Sequence, residues 1–219
     1  MTLQLFGHPF SSYTQKVLIA LYETGAEFAQ RVIGPDDPGT IAEFARLSPI
    51  KKFPVLVDGD RVLLESSVII EHVALHHPGR ADLIPKDADR AIDVRMLDRF
   101  FDNYIMTPMQ KIVGDRLRPG GAGDAHGVQA AKATLTDAYS WLNDTLAQRT
   151  WAEGKDFTMA DCAAAPALFY ADWVHEIGAT FSRLRDYRKR LLARPSVVRA
   201  VDEARPYRPL FPGGAPSRD

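Results

Sequence analysis

The apolar positions change period several times through residue 77. In TLQLF (2–6), Leu3 and Leu5 alternate with polar neighbours, which predicts a short strand. GHPF breaks it. From about Ser12 to Tyr22 the residues Val17, Leu18 and Leu21 share one helical face, and Gly25 marks the stop. EFAQRVI (27–33) is rich in β-formers and predicts a second strand, GPDDPG (34–39) a loop, and TIAEFARL a short helix. Two apolar runs, Val55 to Val57 and Arg61 to Leu64, flank Asp-Gly-Asp, a strong hairpin signal. SSVIIEHVALHH then reads as an amphipathic helix with Ser66 or Ser67 as its N-cap. The order β-α-β-α-β-β-α needs a helical crossover between the first strands. It therefore predicts a parallel pair, a three-layer arrangement and a closing antiparallel hairpin.

Beyond HHPGRADLIPKD the period is helical and strand signals nearly vanish. DRAIDVRMLDRFFDNYIMTPMQKIV predicts a long helix bent or broken near Pro108. RPGGAGDAHG is a turn, and VQAAKATLTDAYSWLNDTLAQ a second long helix. TMADCAAAPALFYADWV is apolar almost all round, the pattern of a helix at the centre of a bundle. Shorter helices are expected around 180–192 and 195–204, then an extended tail, RPYRPLFPGGAPSRD. The fold class is α/β plus all-α, with one domain over 1–79 and a helical one over 87–219.

Composition adds a packed globule: 46% hydrophobic and 25% charged residues in a chain of 219. A net charge of −1 gives no global attraction to nucleic acid or an anionic membrane, so neither is expected as a partner. No apolar run reaches the ~18–20 residues of a membrane span, and the N-terminus has no secretory pattern. Cys162 stands alone, which excludes an internal disulfide framework and fits a reducing, cytoplasmic setting. On the buried helix it reads as a small apolar residue. Thr158 and Asp161 form T-x-x-D, a capping box whose role is folding. His72 and His76 are spaced i, i+4, but no third ligand stands at a recognisable spacing, so no metal is expected.

Three stretches together, SSYTQKVLIAL, KKFPVLVDGDRVLLESSVIIEHV and FTMADCAAAP, resemble the cytosolic glutathione S-transferase family in order and spacing. The resemblance covers nearly the whole chain. It implies a thioredoxin-like N-terminal domain followed by an all-helical C-terminal bundle. It also implies a cytoplasmic, detoxifying homodimer that uses glutathione as co-substrate against a small hydrophobic electrophile.

Residue by residue, the resemblance makes Pro54 a cis proline that turns the backbone of Phe53 toward the peptide of glutathione. Ser66 would hold the γ-glutamyl carboxylate at a helix N-terminus, and Glu65 would face its ammonium. Lys52, with Lys51 close behind, would contact the tripeptide. Counting back six from Val17 gives Ser11 as the hydroxyl that donates to the thiolate, with Ser12 as the structural neighbour. The tyrosine-type position carries Phe6, and Tyr13 departs from the usual pattern, which leaves the subfamily open. No cysteine stands at 11–14, which favours thiolate activation over disulfide reduction. The electrophile would sit between the domains, with Phe10, Phe101, Tyr104, Met109, Trp173 and Phe211 as candidates. Asp102 is a candidate for reaching the glutamyl ammonium across a dimer interface. Two other roles stay open: a zeta-like glutathione-dependent isomerase, and a non-catalytic glutathione-binding protein on the same fold.

Overall fold

The computed structural model describes residues 2–219. Strand β1 (Leu3–Gly7) is central in a four-stranded sheet of order β2-β1-β3-β4. It pairs in parallel with β2 (Phe28–Val32), Leu3 opposite Phe28, and antiparallel with β3 (Val55–Asp58), Leu5 opposite Leu56. Strand β4 (Arg61–Leu63) closes the hairpin across a two-residue turn, with Gly59 at φ +59°. Helix α1 (Ser12–Thr24) supplies the crossover from β1 to β2 and ends at Gly25 (φ +73°), whose amide donates to Leu21 O.

The pleat sends Leu3, Leu5 and Leu56 to the face covered by α1 and α3 (Ser66–His76). It sends Phe6 and Val55 to the opposite face, under Phe44 of α2 (Pro38–Leu47). This is the three-layer arrangement that the order of elements predicts. Strand β1 is buried on both faces because α2 covers the second one.

Helices fill the rest: α4 (Ala88–Phe100), α5 (Thr107–Arg116), α6 (Ala125–Thr145), α7 (Met159–Val174), α8 (Ser182–Leu192) and α9 (Pro195–Ala204). Every residue of α7 from Met159 to Trp173 is buried, as its all-round apolarity requires. The break expected near Pro108 takes another form. The path runs from α4 into α5 through a π-helical turn, Phe101–Met106, and the Thr107 amide donates to Asp102 O, five residues back. Proline cannot donate and crowds the preceding turn, and the wider turn absorbs both effects while helical continuity survives. The tail also departs from the extended form: Arg205–Leu210 is a 3-10 turn, and Phe211 is buried against the core.

The linker between sheet and bundle leaves α3 by way of Gly79, which touches the end of α1. A Cβ built there would lie 1.8 Å from Thr24 O, and the Arg80 amide donates to that same oxygen at 3.0 Å. Gly79→Ala is therefore expected to lower unfolding free energy by about 1–3 kcal/mol, the usual effect of forced overpacking. Urea denaturation of the intact chain measures it.

Candidate active site

A cleft of about 740 Å³ opens between the sheet domain and the helical bundle. Three backbone features form its sheet-side wall. The first is the start of α1. Ser11 is its N-cap, with φ −83° and ψ 126°, and its hydroxyl accepts from the Thr14 amide at 3.4 Å. The capping hydroxyl is thus Ser11, where Ser12 was expected; Ser12 is the first helical residue and is buried. Ser11, Ser12 and Tyr13 all line the cleft.

The second feature is the Phe53–Pro54 peptide, which is cis as the resemblance implies, with Lys51, Lys52, Phe53 and Pro54 all on the cleft wall. The third is the start of α3. Neither Ser66 nor Ser67 is its N-cap. That position is Glu65, at φ +66° and ψ 113°, and no side chain caps the helix. The first amide bond inside α3 runs from Ile69 to Glu65 O at 2.9 Å, so the amides of Ser66, Ser67 and Val68 have no acceptor within the helix. Glu65 and Ser66 line the cleft. A left-handed backbone at a non-glycine residue is uncommon and concentrates where function requires a fixed geometry.

Beneath this wall lies a polar cluster that sequence reasoning missed. Lys16 of α1 is fully buried, and its Nζ donates to Ser67 Oγ at 2.9 Å and to Asp102 Oδ2 at 2.8 Å. The same Nζ lies 2.7 Å from Asp98 Oδ1, as an ion pair and not an aligned hydrogen bond. Ser67 Oγ donates to Asp98 Oδ2 at 2.7 Å, and Arg99 bridges Asp98 and Asp102 from the cleft side. Two cations face two carboxylates, which is what a buried charge requires. The cluster ties α1, the first turn of α3 and the π-helical turn together. Asp102 is engaged by its own chain, by Lys16 and Arg99, although it was expected to reach across a dimer interface; its Oδ1 has no partner. The one sequence signal was a lysine directly before the apolar run Val17–Leu21 of α1.

Tyr13 faces the cleft, and its phenol is pushed up to about 12, first by burial and then by the charge of Asp102. At neutral pH it is a neutral donor. Phe6 is fully buried under α2 and away from the cleft wall.

The bundle side is polar at Arg99, Asp102, Asn103 and Gln110 and otherwise largely apolar. Of the six candidates, Phe10, Met109 and Phe211 line the cleft. Phe101 is core, Tyr104 is half exposed beside Phe100, and Trp173 packs behind Phe10 and Phe211. Val113, Tyr170 and Leu210 complete the wall. Tyr170 is fixed at both ends of its hydroxyl: it accepts from Gln15 Nε2 at 2.9 Å and donates to Phe10 O at 3.0 Å. Cys162 is buried, and burial pushes its thiol up, which suits a packing role and not a nucleophile.

The glutathione S-transferase N-terminal domain model matches residues 5–81, and the C-terminal domain model matches residues 125–190. Glutathione S-transferase 3 of Zea mays is 33% identical over 177 residues, covering 76% of this chain and 78% of the maize protein. The chain belongs to the glutathione S-transferase family. It is a glutathione transferase. Solved structures agree. Glutathione S-transferase III in its apo form superposes with a TM-score of 0.77 at 27% identity, covering 92% of this chain and 96% of that one. A transferase from Methylobacterium radiotolerans in complex with glutathione sulfonate gives 0.78 at 28% identity, covering 92% and 95%.

Proposed function

We propose that this transferase binds glutathione along the sheet-side wall and ionises its thiol with Ser11. The thiolate then attacks a small hydrophobic electrophile held by the bundle side. The observation that carries the reading is the convergence on one cleft of the Ser11 turn, the cis Phe53–Pro54 peptide and the uncapped start of α3. An uncapped helix start offers free amides and a positive dipole end to a carboxylate. Ser66 and its neighbouring amides hold the γ-glutamyl carboxylate, and Glu65 meets the ammonium. The Phe53 backbone pairs with the cysteinyl residue as an added strand would. Lys52 reaches the tripeptide from the cleft rim.

That binding mode delivers the sulfur to the start of α1, where the Ser11 hydroxyl donates to it. Proximity then does most of the work, because the thiolate and electrophile share one cleft. The aromatic lining, Phe10, Tyr170 and Phe211, favours a planar apolar electrophile. The resident group is the co-substrate, and no step of this mechanism calls on a metal. A homodimer in the cytoplasm completes the proposal. Exposed Val68 and Leu75 on α3, with Ile92 and Met96 on α4, provide apolar surface for a second copy to cover.

Equilibrium binding of glutathione tests the wall. Glu65→Gln and Ser66→Ala are each expected to weaken binding about fivefold to tenfold, in line with loss of a hydrogen bond to a charged group. Unchanged affinity in both variants removes the proposed anchor.

A further inference from the structure

The remote end of α3 gathers a second set of groups. His72 Nε2 lies 2.8 Å from Asp58 Oδ2, and His77 Nε2 lies 2.7 Å from the same oxygen. One ligand atom from each residue falls within 4.8 Å of the other two. The i, i+4 spacing singled out His72 and His76, for which no metal was expected, and His76 is exposed with its ring merely leaning on His72, centroids 4.5 Å apart. The i, i+5 partner converges instead because His77 has left the helix, at φ −127° and ψ 54°, which turns its ring back toward the hairpin. Asp58 closes the set from the last position of β3.

We propose that Asp58, His72 and His77 bind one divalent transition-metal ion of the zinc class. The ion ties the β3–β4 hairpin to the C-terminal end of α3. Two imidazoles and one carboxylate form a donor set suited to zinc, with water in the fourth position. A tetrahedral ion with bonds of about 2.1 Å holds its ligand atoms about 3.4 Å apart. The two Asp58–histidine distances must therefore lengthen by about 0.6–0.7 Å, which rotation of the half-exposed Asp58 carboxylate and of the half-buried His77 ring can supply. His72 is buried and gives a fixed post. The ion takes the Nε2 lone pair of each ring, so each bound neutral imidazole carries its single proton on Nδ1. His72 stands six residues past Ser66 and His77 eleven, so at ~1.5 Å per residue the ion sits about 9–16 Å along the helix from Ser66. Its role is to brace the sheet domain; it takes no part at the thiol.

The test uses the full chain, stripped with chelator and free of glutathione, which itself binds zinc. Competition against a chromophoric zinc chelator is expected to show one zinc per chain. Asp58→Asn and His77→Ala should each weaken it at least tenfold, while His76→Ala should change it less than twofold. Saturating zinc should raise the thermal midpoint of the wild type and leave that of Asp58→Asn unmoved. Cobalt should give the intense visible bands of a four-coordinate ion. Equal zinc affinity in Asp58→Asn and wild type overturns the site. So does loss of binding in His76→Ala, the mark of an adventitious surface histidine pair. No thermal shift in the wild type at saturating zinc overturns the bracing role.

Discussion

Ser11→Ala is expected to raise the pKa of enzyme-bound glutathione thiol by one to two units and to slow conjugation at pH 7 by roughly tenfold. The thiolate is the nucleophile, and a free thiol with a pKa near 8.5 is only a few per cent ionised at neutral pH. Each unit of depression is worth about 1.4 kcal/mol in favour of the anion. The rate changes less than the ionisation does, because a less stabilised thiolate is intrinsically more nucleophilic. Ultraviolet absorbance of the bound thiolate against pH reads the first effect directly. The rate profile should move to higher pH in parallel, so that the variant regains much of its activity near pH 9. Tyr13→Phe is expected to leave the thiolate titration in place, since in the proposed mechanism the Ser11 hydroxyl, and not the phenol, donates to the sulfur. A shift in Tyr13→Phe or Ser12→Ala with none in Ser11→Ala would sink the assignment.

The same variant should also lose about 0.5–1 kcal/mol of stability, because Ser11 is the cap of α1. The two roles are compatible. A hydroxyl carries one donor and two acceptor lone pairs, so Ser11 can accept from the Thr14 amide while donating its proton to sulfur.

The residues that converge on the cleft were legible wherever the signal was local. Asp-Gly between β-runs, the X-Pro before a strand and the period of α1 and α7 all fix geometry within a few residues. The polar cluster was not legible in that way: Lys16 meets Ser67, Asp98 and Asp102 at sequence separations that no local period spans. The cap of α3 was misjudged because serine is the usual capping residue, whereas here Ser67 turns inward to Asp98 and Glu65 takes the cap position. Three of the five expected aromatic lining residues proved to be core or surface for a related reason. Periodicity says that an aromatic is on an apolar face, but it does not say whether that face meets a cleft or another helix.

The largest loss of stability is expected at Asp161, far from the thiol. Its carboxylate is buried and accepts from the Thr158 amide at 2.9 Å, the Ala152 amide at 2.8 Å and the Tyr187 hydroxyl at 2.7 Å. The Thr158 hydroxyl lies 3.3 Å away. Asp161→Ala orphans these donors at the start of the central helix, and a loss of about 3–5 kcal/mol at pH 7 follows. That is a large part of a domain's stability, so a lower yield of folded protein should accompany it.

The loss should also depend on pH in a definite sense. Burial pushes the Asp161 carboxyl up to about 6, against the partial opposition of its hydrogen bonds. The folded chain therefore holds a proton there that the unfolded chain, with its carboxyl near 3.9, has already released. A raised acid contributes stability that is fully present below about pH 4 and is lost as pH rises through 6. The gap between wild type and Asp161→Ala should accordingly widen by ~2 kcal/mol from pH 7 to pH 4, because acid effects elsewhere are common to both chains. Paired denaturation curves at pH 4, 5, 6 and 7 measure it, and a gap that narrows toward low pH would show that the folded carboxyl is stabilised as the anion by its four donors.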